Sequence, residues 1–279
     1  MVRTNNNAAK NASEIIASDR HHEQELIQAL RVLVKEEKNL TCSTTDTFLV
    51  RFIRASLHNL QKSHCLIKDY FRAKYESPEA FVVKSPKSFI QHLQRYDLGY
   101  PLKELDKYGR KVLYINLGDV DPGKESWFNL LQSMIMTLET YSLQEDVQEK
   151  GISLILDCAN FTLKIMKWAT PNKMRTLMKL LQECIPIRFE VFHIVNAPLV
   201  FNIFYTTLKP FMNEEFKRKL NWHSGNLRTL DEHMDRDILP TCLGGKLEVE
   251  EIKDWYKLVL ESEDFFAELR EMGYSSKSS

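Results

Sequence analysis

The chain has 279 residues, enough for one large domain or two small ones, with 43% apolar and 27% charged side chains. Its 38 basic residues balance 38 acidic ones, which argues against a general nucleic-acid binder, because neutralising phosphates needs a strongly basic face, and leaves room for a small local basic patch. No apolar run is long enough to span a membrane, MVRTNNNAAKNASE lacks a signal-peptide core, and the five scattered cysteines form neither a disulfide framework nor a metal-ligand spacing; the expected compartment is the cytoplasm.

Residues 1 to about 20 are polar and read as a frayed end. Leu26, Leu30 and Leu33, with Ile27 and Val34 beside them, then set a helical spacing that charged residues 35–38 close. A second helix starts at Thr45 or Asp46 and runs through FLVRFIRAS; a third covers about 60–75 and ends at Ser77-Pro78. Residues 21–80 thus read as a compact helical domain. The next helix carries Phe89, Leu93 and Tyr96. DKYG is a turn, and 111–117 is a strand stopped by Gly118 and Asp-Pro-Gly. A long helix is expected over about 126–149, with Met134, Leu138 and Tyr141 on one side and Gly151 at its end. ISLILDC, at 152–158, is apolar almost throughout, as a strand covered on both faces is. A helix over about 171–184 begins at a proline, and EVFHIVN, at 190–196, is a further strand. Strand, helix, strand at this spacing implies parallel pairing through a right-handed crossover.

The segment 197–212 is bounded by Pro198 and Pro210 and is too short to cross a bilayer. Its apolar residues, Leu199, Val200, Phe201, Ile203, Phe204, Tyr205 and Leu208, cover most of a helix circumference rather than one stripe. Such a helix must be buried on both sides or face something greasy. Lys217, Arg218 and Lys219 follow, then a short strand at 220–223. An amphipathic helix over 250–272 offers Trp255, Leu258, Phe265 and Leu269 for packing back.

Catalytic patterns are missing. The sequence has no P-loop, no GxGxxG and no GxSxG. His64-Cys65 lacks the arginine a phosphatase needs, since Phe71 stands at that spacing and Arg72 comes one step late. His21-His22 has no companion ligands. His193 lies in an apolar strand and reads as a core histidine rather than a catalytic one. Asp157 ends a strand, where a carboxylate can be catalytic or can cap the next turn; capping is the favoured reading. Neither an enzymatic activity nor a metal or other cofactor is expected.

Six segments, DTFLVRFIRAS (46–56), LDKYGRKVLYI (105–115), GISLILDCANFT (151–162), IPIRFEVFHIVNAPLVFN (185–202), LKPFMNEEFKRKLNWHSG (208–225) and LDEHMDRDILPTCLGG (230–245), carry a resemblance in order and spacing. Over about 25–250 the chain resembles the CRAL-TRIO lipid-transfer family, most closely the branch holding the α-tocopherol transfer protein and cellular retinaldehyde-binding protein. The resemblance implies an α/β fold: a small helical N-terminal domain, a lipid-binding domain at 81–250 and a C-terminal helix and tail at 251–279. The second domain would be a mixed β-sheet floor with flanking helices and a helical lid over an apolar cavity. Leu199, Val200, Phe201, Ile203, Phe204 and Leu208 would form the lid.

Strand alternation puts Ile152, Leu154 and Leu156 on one face, and the resemblance makes that face pocket lining. It adds Leu177, Leu180 and Leu181, then Ile185, Ile187, Phe189 and Phe192. Met134 and Leu138 replace two small polar lining positions, which leaves Thr137 and Tyr141 as hydroxyl partners for a ligand at least as apolar as tocopherol: a retinoid, carotenoid, tocopherol or sterol-like molecule. The family's basic cleft for phosphoinositides is matched in part. Arg188 and Lys219 stand at basic positions, Ser56, Glu190 and Glu215 depart from them, and Lys217 and Arg218 could compensate; a solvated helix face is the alternative. The expected function is intracellular transfer of a small hydrophobic ligand by a monomer that meets membranes transiently. The alternative is a phosphoinositide-responsive sensing module with a phospholipid in its pocket.

Overall fold

The computed structural model describes residues 3–81, 84–94, 98–223, 227–248 and 255–275, with side chains from residue 20 onward. Helix α1 spans Arg3–Glu36. It starts well inside the stretch expected to fray, where Ala8, Ala9, Ala12 and Ala17 supply the highest helix propensity available. Ile27, Leu30 and Val34 form its buried stripe. After the two-residue strand β1 (Leu40–Thr41), helices α2 (Asp46–Ala55) and α3 (Leu60–Glu76) pack on that stripe through Phe48, Leu49 and Phe52 and through Ile67, Tyr70 and Phe71. The Asn59 side chain caps α3 by accepting the Lys62 N–H at 2.9 Å.

Helix α2 ends in paired bonds, Leu57 N–H to Arg54 O (3.1 Å) and His58 N–H to Ile53 O (2.9 Å), the pattern of a Schellman stop. That stop needs a left-handed residue, and here Leu57 takes it at φ 51° while 71% exposed. Glycine would take the same conformation without Cβ strain. Leu57→Gly is therefore expected to raise stability by about 1 kcal/mol, read as a higher urea midpoint at unchanged slope.

Arg51 of α2 is 1% exposed and points into the body of the protein. Its Nη1 donates to Glu139 Oε2 (2.9 Å) and to Ser142 Oγ (2.7 Å), and its guanidinium lies 4.7 Å from the Phe48 ring centroid and 5.0 Å from that of Phe265. Glu139 is fully buried. One charge pair thus joins the N-terminal helices, a central helix and the C-terminal segment.

A five-stranded sheet follows, ordered β2 (Gly99–Leu105), β3 (Lys111–Asn116), β4 (Ile152–Asp157), β5 (Phe189–Val195) and β6 (Leu220–His223). The β2–β3 pair is antiparallel and the other three pairings are parallel, so the sheet is mixed. Strand β2 has no alternation to announce it and contains Pro101, which is tolerated because the strand lies at the sheet edge. The helix expected around Phe89 and Leu93 is two short turns, Pro86–Phe89 and Ile90–Leu93, while Tyr96 lies outside the described residues.

The helix expected over 126–149 is broken into α4 (Trp127–Ser142) and α5 (Glu145–Lys150). Ser142 is held by Arg51, its Oγ donates to Glu139 O, and its carbonyl accepts Gln148 Nε2–H, which stops the first helix there. Gly151 closes α5 at φ 76°, and a Cβ on it would come within 2.8 Å of Arg188 O. Helices α6 (Leu163–Trp168) and α7 (Pro171–Lys179) form the crossover from β4 to β5; α7 runs on as a π-turn over Leu180–Cys184. Helix α8 (Leu199–Leu208) and α9 (Glu214–Arg218) lie between β5 and β6. After three 3-10 turns come α10 (Tyr256–Glu261), α11 (Glu263–Glu271) and β7 (Gly273–Tyr274). Residues 249–254, the start of the expected C-terminal helix, lie outside the description.

The two faces of the sheet carry separate cores. Tyr100, Val112, Tyr114, Ile155 and Val195 pack under Leu230, Met234, Leu239 and Leu243. The opposite face joins one continuous cluster that also takes in the N-terminal helices.

Candidate ligand-binding site

The second face of the sheet is the floor of a cavity of about 300 Å³. Alternation decides which side chains reach it: Leu113 and Ile115, Leu154 and Leu156, Phe192 and Ile194, and Leu220 line it, while Val112, Ile155 and Val195 pack on the other side. Leu130, Leu131, Met134 and Leu138 of α4 form one wall. Ile165, Trp168, Met174, Leu177, Met178 and Leu181 of α6, α7 and the π-turn form another. Polar groups are few and partly engaged: Thr137 Oγ1 donates to Ser133 O (2.8 Å), and His92 Nε2 lies 2.7 Å from Asn129 Nδ2.

The roof is α8. Phe201, Phe204, Tyr205 and Leu208 turn inward to the cavity, where Phe161 meets Phe201 and Phe204 at ring distances of 5.1 Å. Leu199 and Ile203 turn outward, 76% and 52% exposed. The all-round apolar pattern of this segment therefore resolves into two faces, one on the cavity and one on the surface.

Of the expected lining, Met134, Thr137, Leu138, Leu154, Leu156, Leu177, Leu181, Phe189 and Phe192 lie on the cavity. Tyr141, Ile152, Leu180, Ile185 and Ile187 are buried but lie off it. Four of these five sit at or just before the N-terminal ends of β4 and β5 or at the C-terminal end of α4, past the limit of the cavity. Leu180 belongs to the π-turn, which packs against α3 on its other side; Cys184, one turn on, reaches Asp69 O. Of the expected lid, Phe201, Phe204 and Leu208 line the cavity, whereas Val200, Leu199 and Ile203 do not. Leu113, Ile115 and Ile194 were reachable by the parity rule applied to β3 and β5. Phe161, Trp127 and Trp168 converge only through the tertiary fold.

Arg188 and Lys219 are paired with two of the residues that depart from the resemblance, Glu190 and Glu215. Arg188 Nε donates to Glu190 Oε1 at 2.9 Å, and its Nη atoms bond the carbonyls of Arg54, Gln148 and Glu149, so that it closes the end of α5 against α2. Lys219 bonds Glu215 (3.0 Å) and Lys217 bonds Glu214 (2.7 Å), and these lysines hold both carboxylates below the usual range. Arg218 ends α9 beside them. Asp157 serves its turn: it accepts Ala159 N–H (3.1 Å), Tyr114 O–H (3.1 Å) and Asn196 Nδ2–H (3.0 Å). Among the described residues no acidic, histidine or cysteine cluster could hold a metal ion, and no helix is long and apolar enough to cross a membrane.

A mixed sheet, an apolar cavity on one face and a helix roofing it define a protein built to enclose a hydrophobic molecule. The sequence profile of the CRAL/TRIO domain matches residues 94–245, more than half of the chain. The chain belongs to this lipid-binding and transfer family. Clavesin-2 of Mus musculus is 31% identical over 223 residues, covering 79% of this chain and 68% of its own, and Clavesin-2 of Homo sapiens is 30% identical over the same shares. Clavesin-1 of Xenopus laevis is 30% identical over 220 residues, covering 78% of this chain and 66% of its own. The crystal structure of Sfh5 superposes with a TM-score of 0.56 at 12% identity, over 89% of this chain and 98% of that one, a likeness of fold.

Proposed function

We propose that the protein is a non-enzymatic intracellular carrier that encloses one small hydrophobic molecule and exchanges it at membrane surfaces, its ligand being a retinoid, carotenoid, tocopherol or sterol-like compound. The observation that carries this reading is the apolar cavity roofed by a helix with one apolar face inward and another outward. A ligand that buries about 400 Å² there gains about 10 kcal/mol gross at ~25 cal/mol/Å², enough for tight binding after the losses of association. Leu199 and Ile203 on the outer face give the roof a means of contact with acyl chains. The test is identification of what the protein holds: incubation with a mixed lipid extract, repurification, solvent extraction and mass spectrometry. A stoichiometric isoprenoid supports the reading; a phospholipid would move it to the sensing module, and no lipid from any pool would end it.

The carboxylates beside Arg188, Lys217 and Lys219 speak against a phosphoinositide clamp at this patch, since an incoming phosphate must displace them. Adding phosphoinositide to neutral vesicles is accordingly expected to change binding by less than about threefold, in a sedimentation assay that compares the native protein with Lys217→Ala/Lys219→Ala. A tenfold or greater gain that the double substitution removes would restore the clamp.

A further inference from the structure

The face of the sheet turned away from the cavity holds three histidines that the site does not use. His193 on β5 is fully buried; its Nδ1 lies 2.9 Å from His223 Nε2 on β6, and its Nε2 is buried without a hydrogen-bond partner. His233 is half-buried, with its ring 4.7 Å from that of His193 and 6.1 Å from that of His223. Its Nε2 lies 3.0 Å from Nδ2 of Asn221, while His223 Nδ1 lies 2.6 Å from Thr229 Oγ1. Strand β6 has four residues, forms the edge of the sheet and pairs with β5 alone. Alternation gives it two tasks. Asn221 and His223 face the histidines. Leu220 lines the cavity, and Trp222 stands under the roof, 5.9 Å from the Phe201 ring and 5.0 Å from the Tyr205 ring.

We propose that the His193–His223–His233 cluster is a proton-operated latch for the lid: proton uptake loosens β6 from β5, withdraws Trp222 from beneath α8 and so opens the cavity. The His193–His223 bond needs a lone pair on at least one of its two rings, and the His233–Asn221 bond needs one on His233 Nε2. Neutral His233 Nε2 accepts the Asn221 amide N–H; once protonated, that nitrogen is a second donor facing the first. A proton on His193 would place a charge in the core with an N–H that finds no acceptor. Burial, then His223, His233 and Arg110, push His193 down to about 3, and burial with His233 also lowers His223. The surrounding charges do little to offset this. Arg110 is bound to Asp106, Lys107 reaches Asp231 O and Asp235, and Glu232 is the exposed carboxylate acting on His223. Half-buried His233 links the cluster to the edge strand, its ring 4.7 Å from that of His193 and its Nε2 3.0 Å from the Asn221 amide of β6. An anionic bilayer surface concentrates protons about threefold over bulk, so the latch would act where cargo is exchanged.

This inference rests on the lid reading above, and its test needs no lipid. Backbone hydrogen exchange of the full chain, read by mass spectrometry at about pH 7.5 and about pH 5.5 and corrected for intrinsic rates, is the measurement. Residues 199–208 and 220–223 are expected to exchange at least about tenfold faster at the lower pH while β3 and β4 keep their protection. His233→Asn and His193→Phe should each remove most of that change; the half-buried His233 site serves if the core substitution fails to fold. Equal protection at both pH values, a change shared by the whole molecule, or a local change that survives His233→Asn overturns the latch. A chain that takes up no lipid yet shows the local change keeps the latch and loses the carrier reading, and one that binds lipid without the change does the reverse.

Discussion

Replacing Arg51 with methionine is expected to lower the stability of the protein by about 3–5 kcal/mol. The loss comes less from the ion pair itself than from what it leaves behind: Glu139 remains fully buried, without its counter-charge. Desolvating a carboxylate costs several kcal/mol, and the phenylalanine rings that flank Arg51 can accept a cation but have nothing to give an anion. Chemical denaturation should show the midpoint fall for Arg51→Met and for Arg51→Ala. In the double variant Arg51→Met/Glu139→Leu most of the loss should return, because removing both charges also removes the desolvation cost. A single variant as stable as the native protein would mean that the two groups do not share a dry site.

Placing a carboxylate on the cavity wall should weaken ligand binding roughly a hundredfold while leaving the fold intact. Met134 is half-buried on α4 and lines the cavity opposite the sheet. Met134→Glu would present a charge to a ligand that has no polar group to meet it along most of its length. A penalty of about 3 kcal/mol corresponds to roughly a hundredfold loss of affinity. Retinaldehyde and α-tocopherol, titrated by quenching of tryptophan fluorescence, are suitable probes, and Met134→Leu, which conserves volume, should bind as the native protein does. Unaltered affinity in Met134→Glu would show that the ligand lies elsewhere.

Individual strands and helices were legible from short-range rules, while the architecture and the pocket lining came from the resemblance to the CRAL-TRIO family. Period-two alternation in 152–158 put Ile152, Leu154 and Leu156 on one face and the resemblance made that face pocket lining; Leu154 and Leu156 line the cavity, and Ile152 lies off it. The apolar circumference of 199–208 demanded two greasy environments, and the helix has an inner and an outer apolar face. What escaped depends on partners distant in sequence. The break between α4 and α5 is made by Ser142, which Arg51 holds from 91 residues away. Strand β2, with its proline, exists because β3 is there to pair with it. Leu180 looked like its neighbours Leu177 and Leu181, but the π-turn and the α3 surface claim it. Glu190 and Glu215 were visible as departures from a pattern; only the geometry shows that they are the counter-ions of Arg188 and Lys219, and that Glu214, which no pattern marked, pairs with Lys217.

The C-terminal segment is stitched to the N-terminal helical part of the chain. Strand β7 pairs with β1, Lys74 Nζ donates to the carbonyls of Leu269 and Arg270 at the close of α11, and Phe265 lies against Arg51. These seams close the chain on itself outside the five-stranded sheet, and the ten-residue helix α8, set between Pro198 and Pro210, lies in the span they enclose. Pro198 stands at the start of α8 and Pro210 in the 3-10 turn after it, so the helix is bounded at both ends by a residue of fixed φ. None of these three seams runs through α8, so the tie between the C-terminal segment and the N-terminal helices does not depend on where the roof stands.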